Sequence, residues 1–320
     1  MRVSTSQLYR SGVLGMERNQ SQLVKLQNQI SSGRRILTPA DDPVASARAL
    51  GITQARDVAA QYGRNQADAS DRLSLVDSQL NSLTDLLQNV RSRVIQAGNT
   101  ILADSDRQAI AAEVEARFDE MLGIANSRSA EGDYLFSGYQ GGTQPFVRGP
   151  AQSAASTSSV TYAGDDGQRL LQVSSSRQMA INFAGSDLFM NIRDANSSSS
   201  THKSAFQTMQ EVIDLLRRPL ASSTDRTAYS GELQGHLSNL DQTLTNFSRV
   251  QSTVGGRLQE LDALANSASA IDIQYQQTLS DLQELDYAQA LSDFTRQKVS
   301  LEAAQKSFVA ISGLSLFSYL

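Results

Sequence analysis

The chain has 320 residues, 40% of them apolar but only 6% aromatic, with no tryptophan, no cysteine and a formal net charge of −5. That length allows two or three domains of ordinary size, and a core drawn from Leu, Ile, Val and Ala suits narrow helix seams better than a thick globular interior. An acidic balance without clustered Lys, Arg and stacking aromatics excludes an extended nucleic-acid surface, and the missing cysteine excludes disulfides, zinc–thiolate sites and thiol nucleophiles.

Met1 to Met16 contains no apolar h-region and no run of 18 apolar residues occurs anywhere, so neither a Sec-type signal nor a membrane-spanning helix is expected. The first 42 residues are locally basic, and residues 3 to 32 read as one helix, with Tyr9, Met16, Leu23 and Ile30 repeating every seven residues and Leu26 completing the stripe. It stops at Gly33. The loop that follows, SGRRILTPADDP, holds Ser32, Gly33, Arg34, Asp41, Asp42 and Pro43. Asp42 can cap the next helix and Pro43 can occupy its first turn, where a missing N–H costs nothing. With no His, Lys or further acidic cluster around them, Asp41 and Asp42 read as turn and cap residues, not as an acid/base pair.

From Ile52 the spacing of three and four continues through Ala55, Ala59, Tyr62, Gln66, Ala69, Leu73, Val76, Leu80, Leu83, Leu87, Val90 and Val94. This predicts a coiled-coil helix of roughly 50 residues, about 75 Å at about 1.5 Å per residue. A turn near 98–105 leads to a second helix over about 106–128, with Ile110, Val114, Phe118, Met121, Leu122 and Ala125 on one face. Between Glu131 and Ser200 the composition turns to Gly, Ser and short alternating segments, among them Val160–Tyr162 and Leu170–Val173, which AGDDGQ is expected to join as a hairpin. Asp165 and Asp166 lack the spaced acidic residues of a calcium loop and read as turn residues. His202 and His236 have no ligand spacing and read as surface residues.

The second half mirrors the first. After a short helix near Phe206–Leu216, the spacing resumes at Leu233 and runs through Leu237, Leu240, Leu244, Phe247, Gln251, Val254, Leu258, Leu261, Ala265, Ala268, Asp272, Tyr275, Leu279 and Leu282. The register then breaks. Tyr287, Phe294, Leu301 and Phe308 begin a new seven-residue stripe, flanked by Leu291, Ala304 and Ile311. The chain closes on GLSLFSYL, where Leu314, Leu316, Phe317, Tyr319 and Leu320 carry no compensating charge. Start and finish should lie side by side.

The fold class expected is mainly α: a long antiparallel coiled-coil or helical-bundle rod with a β-rich insert. Its expected division is 1–42 with 285–320 as a terminal helical layer, 43–130 with 201–284 as a long helical-bundle layer, and 131–200 as a separable outer insert. No Gly-rich phosphate loop, nucleophile–base pair or metal spacing survives inspection, so neither an enzyme nor a cofactor is expected.

SGRRILTPADDPVA resembles the flagellin superfamily, as do LLQNVRSRVIQAGN (86–99), ANSRSAEGDYLFSGYQGGTQPF (125–146), VTYAGDDGQ, the VGGRL run at 254–258 and the terminal GLSLFSYL. Pro43 and the Phe317–Leu320 ending place the likeness in the hook-associated branch. The resemblance implies flagellin-like layers and a structural subunit joining the hook side to the filament. Its implied partners are further copies of itself in a ring, the first hook-associated protein, flagellin, and an export chaperone at the C-terminal helix, with no nucleic acid and no membrane insertion. Secretion by the flagellar type III route, without a cleavable signal peptide, would place it extracellularly in the flagellum. The two stripes and the terminal apolar residues are then the expected polymerisation seam. Two other readings stay open: a short flagellin that builds the filament itself, and a soluble coiled-coil signalling protein.

Overall fold

The computed structural model describes residues 2–99, 102–149, 160–196 and 201–313, with the backbone alone for 2–6, 8 and 311–313. Six helices carry the fold: α1 (Arg2–Ser32), α2 (Pro43–Ala97), α3 (Asp104–Ala125), α4 (Ala205–Arg217), α5 (Ser223–Gln283) and α6 (Tyr287–Gly313). Between α3 and α4 lie six short strands: β1 (Phe146–Arg148), β2 (Val160–Tyr162), β3 (Leu170–Ser174), β4 (Arg177–Ala180), β5 (Ile192–Arg193) and β6 (His202–Lys203). A single π-helical turn, Ser186–Met190, falls between β4 and β5. No helix among the described residues is long and apolar enough to cross a membrane.

Local chemistry sets the helix starts. The Asp42 carboxylate accepts from the Ala45 N–H, Ser204 Oγ from the Phe206 N–H, and Asp286 from the Gln289 N–H. Ser222 and Asp225 cap reciprocally, the hydroxyl accepting from Asp225 N and the carboxylate from Ser222 N. The same capping explains why α3 begins two residues before the expected Asp106: that carboxylate accepts from Ala103 N, which places Asp106 inside the first turn.

Two compact units divide the chain, residues 1–60 with 269–320 and residues 61–268, so α2 and α5 contribute to both. The division falls inside these long helices, and the strand-bearing segment does not separate from the larger unit. In that larger unit every seam position of α2 from Gln66 to Val94 is buried, and α5 answers with Leu233, Leu240, Phe247, Val250, Val254 and Leu261. Arg91 bonds Asp241 at 2.6 Å and Gln251 bonds Asn81 at 2.7 Å, so the two helices run antiparallel. Tyr229 ties the end of α2, its hydroxyl donating to Ala97 O at 2.8 Å.

Six phenylalanines, each from a different segment, meet at the centre. Phe189 of the π-helical turn lies 5.0 Å from Phe146, 5.4 Å from Phe206, 5.6 Å from Phe247 and 5.7 Å from Phe136, and Phe206 lies 5.8 Å from Phe118. Ring pairs of this kind add to the burial of their area. Phe136, Phe146 and Phe189 of the insert pack in the same core as the helices. Side-chain bonds sew it down further: Gln66 donates to Val173 O, Asn65 to Gln172 O, and Asn246 to the carbonyls of Asp187 and Leu188.

Two expectations fail in this region. β2 pairs with β1 and β3 with β4, all antiparallel, so AGDDGQ crosses between sheets and does not close a hairpin. Asp165 explains the crossing: its carboxylate accepts from Gly167 N at 2.8 Å and from Tyr139 N at 2.7 Å, a turn pinned to a distant loop. His202 is exposed, but His236 is not the surface residue expected. Its side chain is 15% exposed, with Nδ1 3.4 Å from a Glu211 oxygen, in a cluster where Lys203 bridges Asp194 and Glu211. Burial pushes its pKa down against the opposing pull of Glu211.

Candidate assembly surface

The smaller unit begins from a clasp between distant segments. Gly33 ends α1 at φ +70°, and a Cβ there would sit 2.9 Å from the Tyr287 hydroxyl, so both the backbone and the space call for glycine. Beyond it the chain pairs with the α5–α6 connection. Arg35 N donates to Gln283 O at 2.8 Å, Leu285 N to Gly33 O at 3.0 Å, and the Arg35 guanidinium to Leu282 O at 2.9 Å. Arg34 faces Glu284 across an antiparallel bridge.

Asp41 holds the rest of the loop, accepting from Leu37 N at 3.1 Å, Thr38 N at 2.9 Å and Thr38 Oγ1 at 3.2 Å while Lys25 Nζ approaches at 2.6 Å. Lys25, then the Thr38 N–H, holds its carboxyl well below the usual carboxylate range. Asp42 lies 3.6 Å from Arg35 and caps α2. Both carboxylates are thus committed to loop geometry.

From the clasp, α1 and α6 run antiparallel. On α1 the half-buried positions include Gly12, Met16, Asn19, Leu23, Leu26 and Ile30; on α6, Phe294, Gln297, Leu301, Ala304 and Phe308 are among the half-buried and Ala290 is buried. This is the three-four alternation of a two-helix seam. Tyr9 meets Phe308 edge-on with ring centroids 4.7 Å apart. The structure thus brings Tyr9, Met16, Leu23, Leu26 and Ile30 together with Phe294, Leu301 and Phe308.

Of the expected seam residues, Tyr287 and Leu291 are 49% and 53% exposed, Tyr287 with its hydroxyl beside Gly33. Ala290 takes the inward position, because the seam steps by three and four and a strict sevenfold count misses its smaller alternate members. Gly12, Asn19, Ala290 and Gln297 were missed for the same reason: being small or polar, they show only when read against the opposing helix. The Ile311 side chain and Leu314, Leu316, Phe317, Tyr319 and Leu320 lie outside the described residues.

What the smaller unit buries is little. Among the described residues its buried apolar side chains are Ala45, Ala49 and Ala290. Leu14, Val24, Val44, Leu50, Val58, Ile273, Leu291, Val299 and Val309 are each close to half exposed or more.

The sequence compares with known proteins along its whole length. The profile of the bacterial flagellin N-terminal helical region matches residues 3–141. Flagellar hook-associated protein 3 of Escherichia coli strain K12 is 30% identical over 322 aligned positions, covering 99% of both chains. The chain belongs to the hook-associated protein 3 family of flagellar proteins. The Salmonella typhimurium hook-associated protein 3 is 28% identical with the same coverage. Among solved structures, the flagellar junction protein FlgL from Legionella pneumophila superposes with a TM-score of 0.64 at 22% identity, covering 74% of this chain and all of that one. That likeness is one of fold. The hook-associated protein 3 members are structural parts of the flagellum, and among the described residues no group of three His, Cys, Asp or Glu side chains could hold a metal ion.

Proposed function

We propose that this chain is a non-catalytic structural adaptor at the hook–filament junction of the bacterial flagellum. Copies of it would form a ring between the first hook-associated protein and flagellin. The observation that carries this reading is the imbalance inside one chain whose full length matches the family: among the described residues, a larger unit with a buried core of large apolar side chains, and a smaller unit that buries only alanines and leaves many large apolar side chains exposed. An enzyme places polar groups in a cleft; here the unsatisfied surface is apolar, helical and distributed, which suits stacking against neighbouring subunits. The seam of α1 and α6 with the terminal Leu314, Leu316, Phe317, Tyr319 and Leu320 is the polymerisation layer in this account. Passage through the flagellar type III route, to an extracellular position and with a chaperone covering the C-terminal helix, completes it.

Electron microscopy of cells lacking the gene tests the proposal. Bare hooks, with flagellin shed into the medium, are the expected result. Filaments of normal length on those hooks would overturn it.

A further inference from the structure

Two layers of the α1–α6 seam are not simply apolar against apolar. Asn19 and Gln297, its polar members, face each other: Gln297 Nε2 donates to Asn19 Oδ1 at 3.1 Å and to Gln22 Oε1 at 2.9 Å. Seven residues before Asn19, Gly12 leaves a notch for Phe308, whose ring carbon would lie 2.9 Å from a Cβ placed there. The notch and the acceptors are on α1; the knob and the donor are on α6.

The remaining layers set Met, Leu and Ile against Phe, Leu and Ala, and would accept α1 or α6 of another copy nearly as well. A half-buried amide without its partner carries the cost of an unmade hydrogen bond, and a notch without its knob leaves unfilled space. In two-helix seams one polar layer commonly sets the partner and orientation at some expense of stability. We propose that the Gly12–Phe308 and Asn19–Gln22–Gln297 layers are specificity determinants of terminal-helix pairing. They select α1 with α6 over self-pairing of either helix whenever these segments become helical, and so penalise wrong pairing between chains before assembly. The inference rests on the assembly role proposed for these helices, but its test needs no flagellum.

The test is sedimentation of the purified full-length chain over a concentration series. Asn19→Leu with Gln297→Leu makes both stripes continuously apolar, and is expected to raise the self-association constant about tenfold or more. Asn19→Gln with Gln297→Asn keeps an amide on each helix and is expected to sediment as the parent does. Gln20→Leu with Ser300→Leu adds the same apolar groups at exposed positions beside the seam, and separates selection from general adhesiveness. Unchanged melting of the larger unit in each variant confirms that its core is intact.

A seam leucine pair that sediments like the parent would overturn the proposal. So would an amide swap, or an off-seam leucine pair, that associates as strongly as the seam pair. Loss of the junction role in cells, with these sedimentation results standing, would instead count against the functional reading alone.

Discussion

Residues 61–268 and the paired segments 1–60 and 269–320 are written with the same helical periodicity, yet they bury very different things. Among the described residues, every buried apolar side chain larger than alanine lies in the first unit. Among its described large apolar residues that unit leaves exposed only Ile95, Tyr139, Val147 and Leu170, whereas the second exposes them along all four of its helical segments. A heptad stripe states that a helix wants a partner. It does not say whether the partner is in the same chain. The larger unit finds its partners within itself through six interlocking phenylalanines, and among its described residues the smaller unit forms one seam and keeps large apolar side chains exposed beside it.

The comparison makes removal of the strand-bearing segment the most damaging change. Replacing residues 131–196 with a short Gly/Ser linker takes Phe136, Phe146 and Phe189 out of the core. The shortened chain is expected to lose its cooperative thermal transition, which calorimetry would show; retention of that transition would mean that the helices close without the insert. Next in size is Phe189→Ala, expected to cost about 3–5 kcal/mol as a fully buried ring is lost. Phe308→Asp, in contrast, should leave the denaturant midpoint of the purified chain nearly unchanged while abolishing incorporation at the hook tip. Equal loss of stability from the two substitutions would erase the distinction between the units.

The contrast also shows how far the residues alone reach. The six helices, the side-by-side ends and the Asp42–Pro43 start were legible, because each rests on local spacing and capping chemistry. The AGDDGQ crossing was not, since Asp165 is held by Tyr139 N, a partner 26 residues away that no local turn signal reveals. The insert's place in the core escaped for a similar reason: Phe136, Phe146 and Phe189 stand singly among Gly and Ser, with no periodicity to mark them. In the assembly surface the large members of both stripes were visible. The glycine notch and the amide layer were not, because their meaning depends on what stands opposite.

Smaller effects sharpen the same boundary. Tyr229→Phe removes the hydroxyl that Ala97 O accepts, and is expected to cost about 1 kcal/mol in urea unfolding of the larger unit. His236 gives that unit a pH signature. Burial favours its neutral form, so the folded pKa lies below the ordinary value of 6.5 and the unfolded chain takes up the proton first as the pH falls. Its contribution is present above about pH 6.5 and lost progressively below it. His236→Gln should flatten the unfolding midpoint against pH in that window; an unchanged slope would assign the dependence to other groups.

The central claim is that the larger unit is folded before assembly and that α1 and α6 become stable only when neighbouring subunits cover their bare faces. Ordering costs about 1–2 kcal/mol of backbone entropy per residue, which one half-buried seam does not offset over helices of 31 and 27 residues. Amide hydrogen exchange on the dilute, purified full-length chain measures this directly. The account predicts slow exchange across Leu73–Val94 and Leu233–Leu261, and fast exchange throughout α1 and α6. Slow exchange in α1 and α6 at the same dilution would contradict it, and would make the terminal pair an ordinary part of the folded monomer.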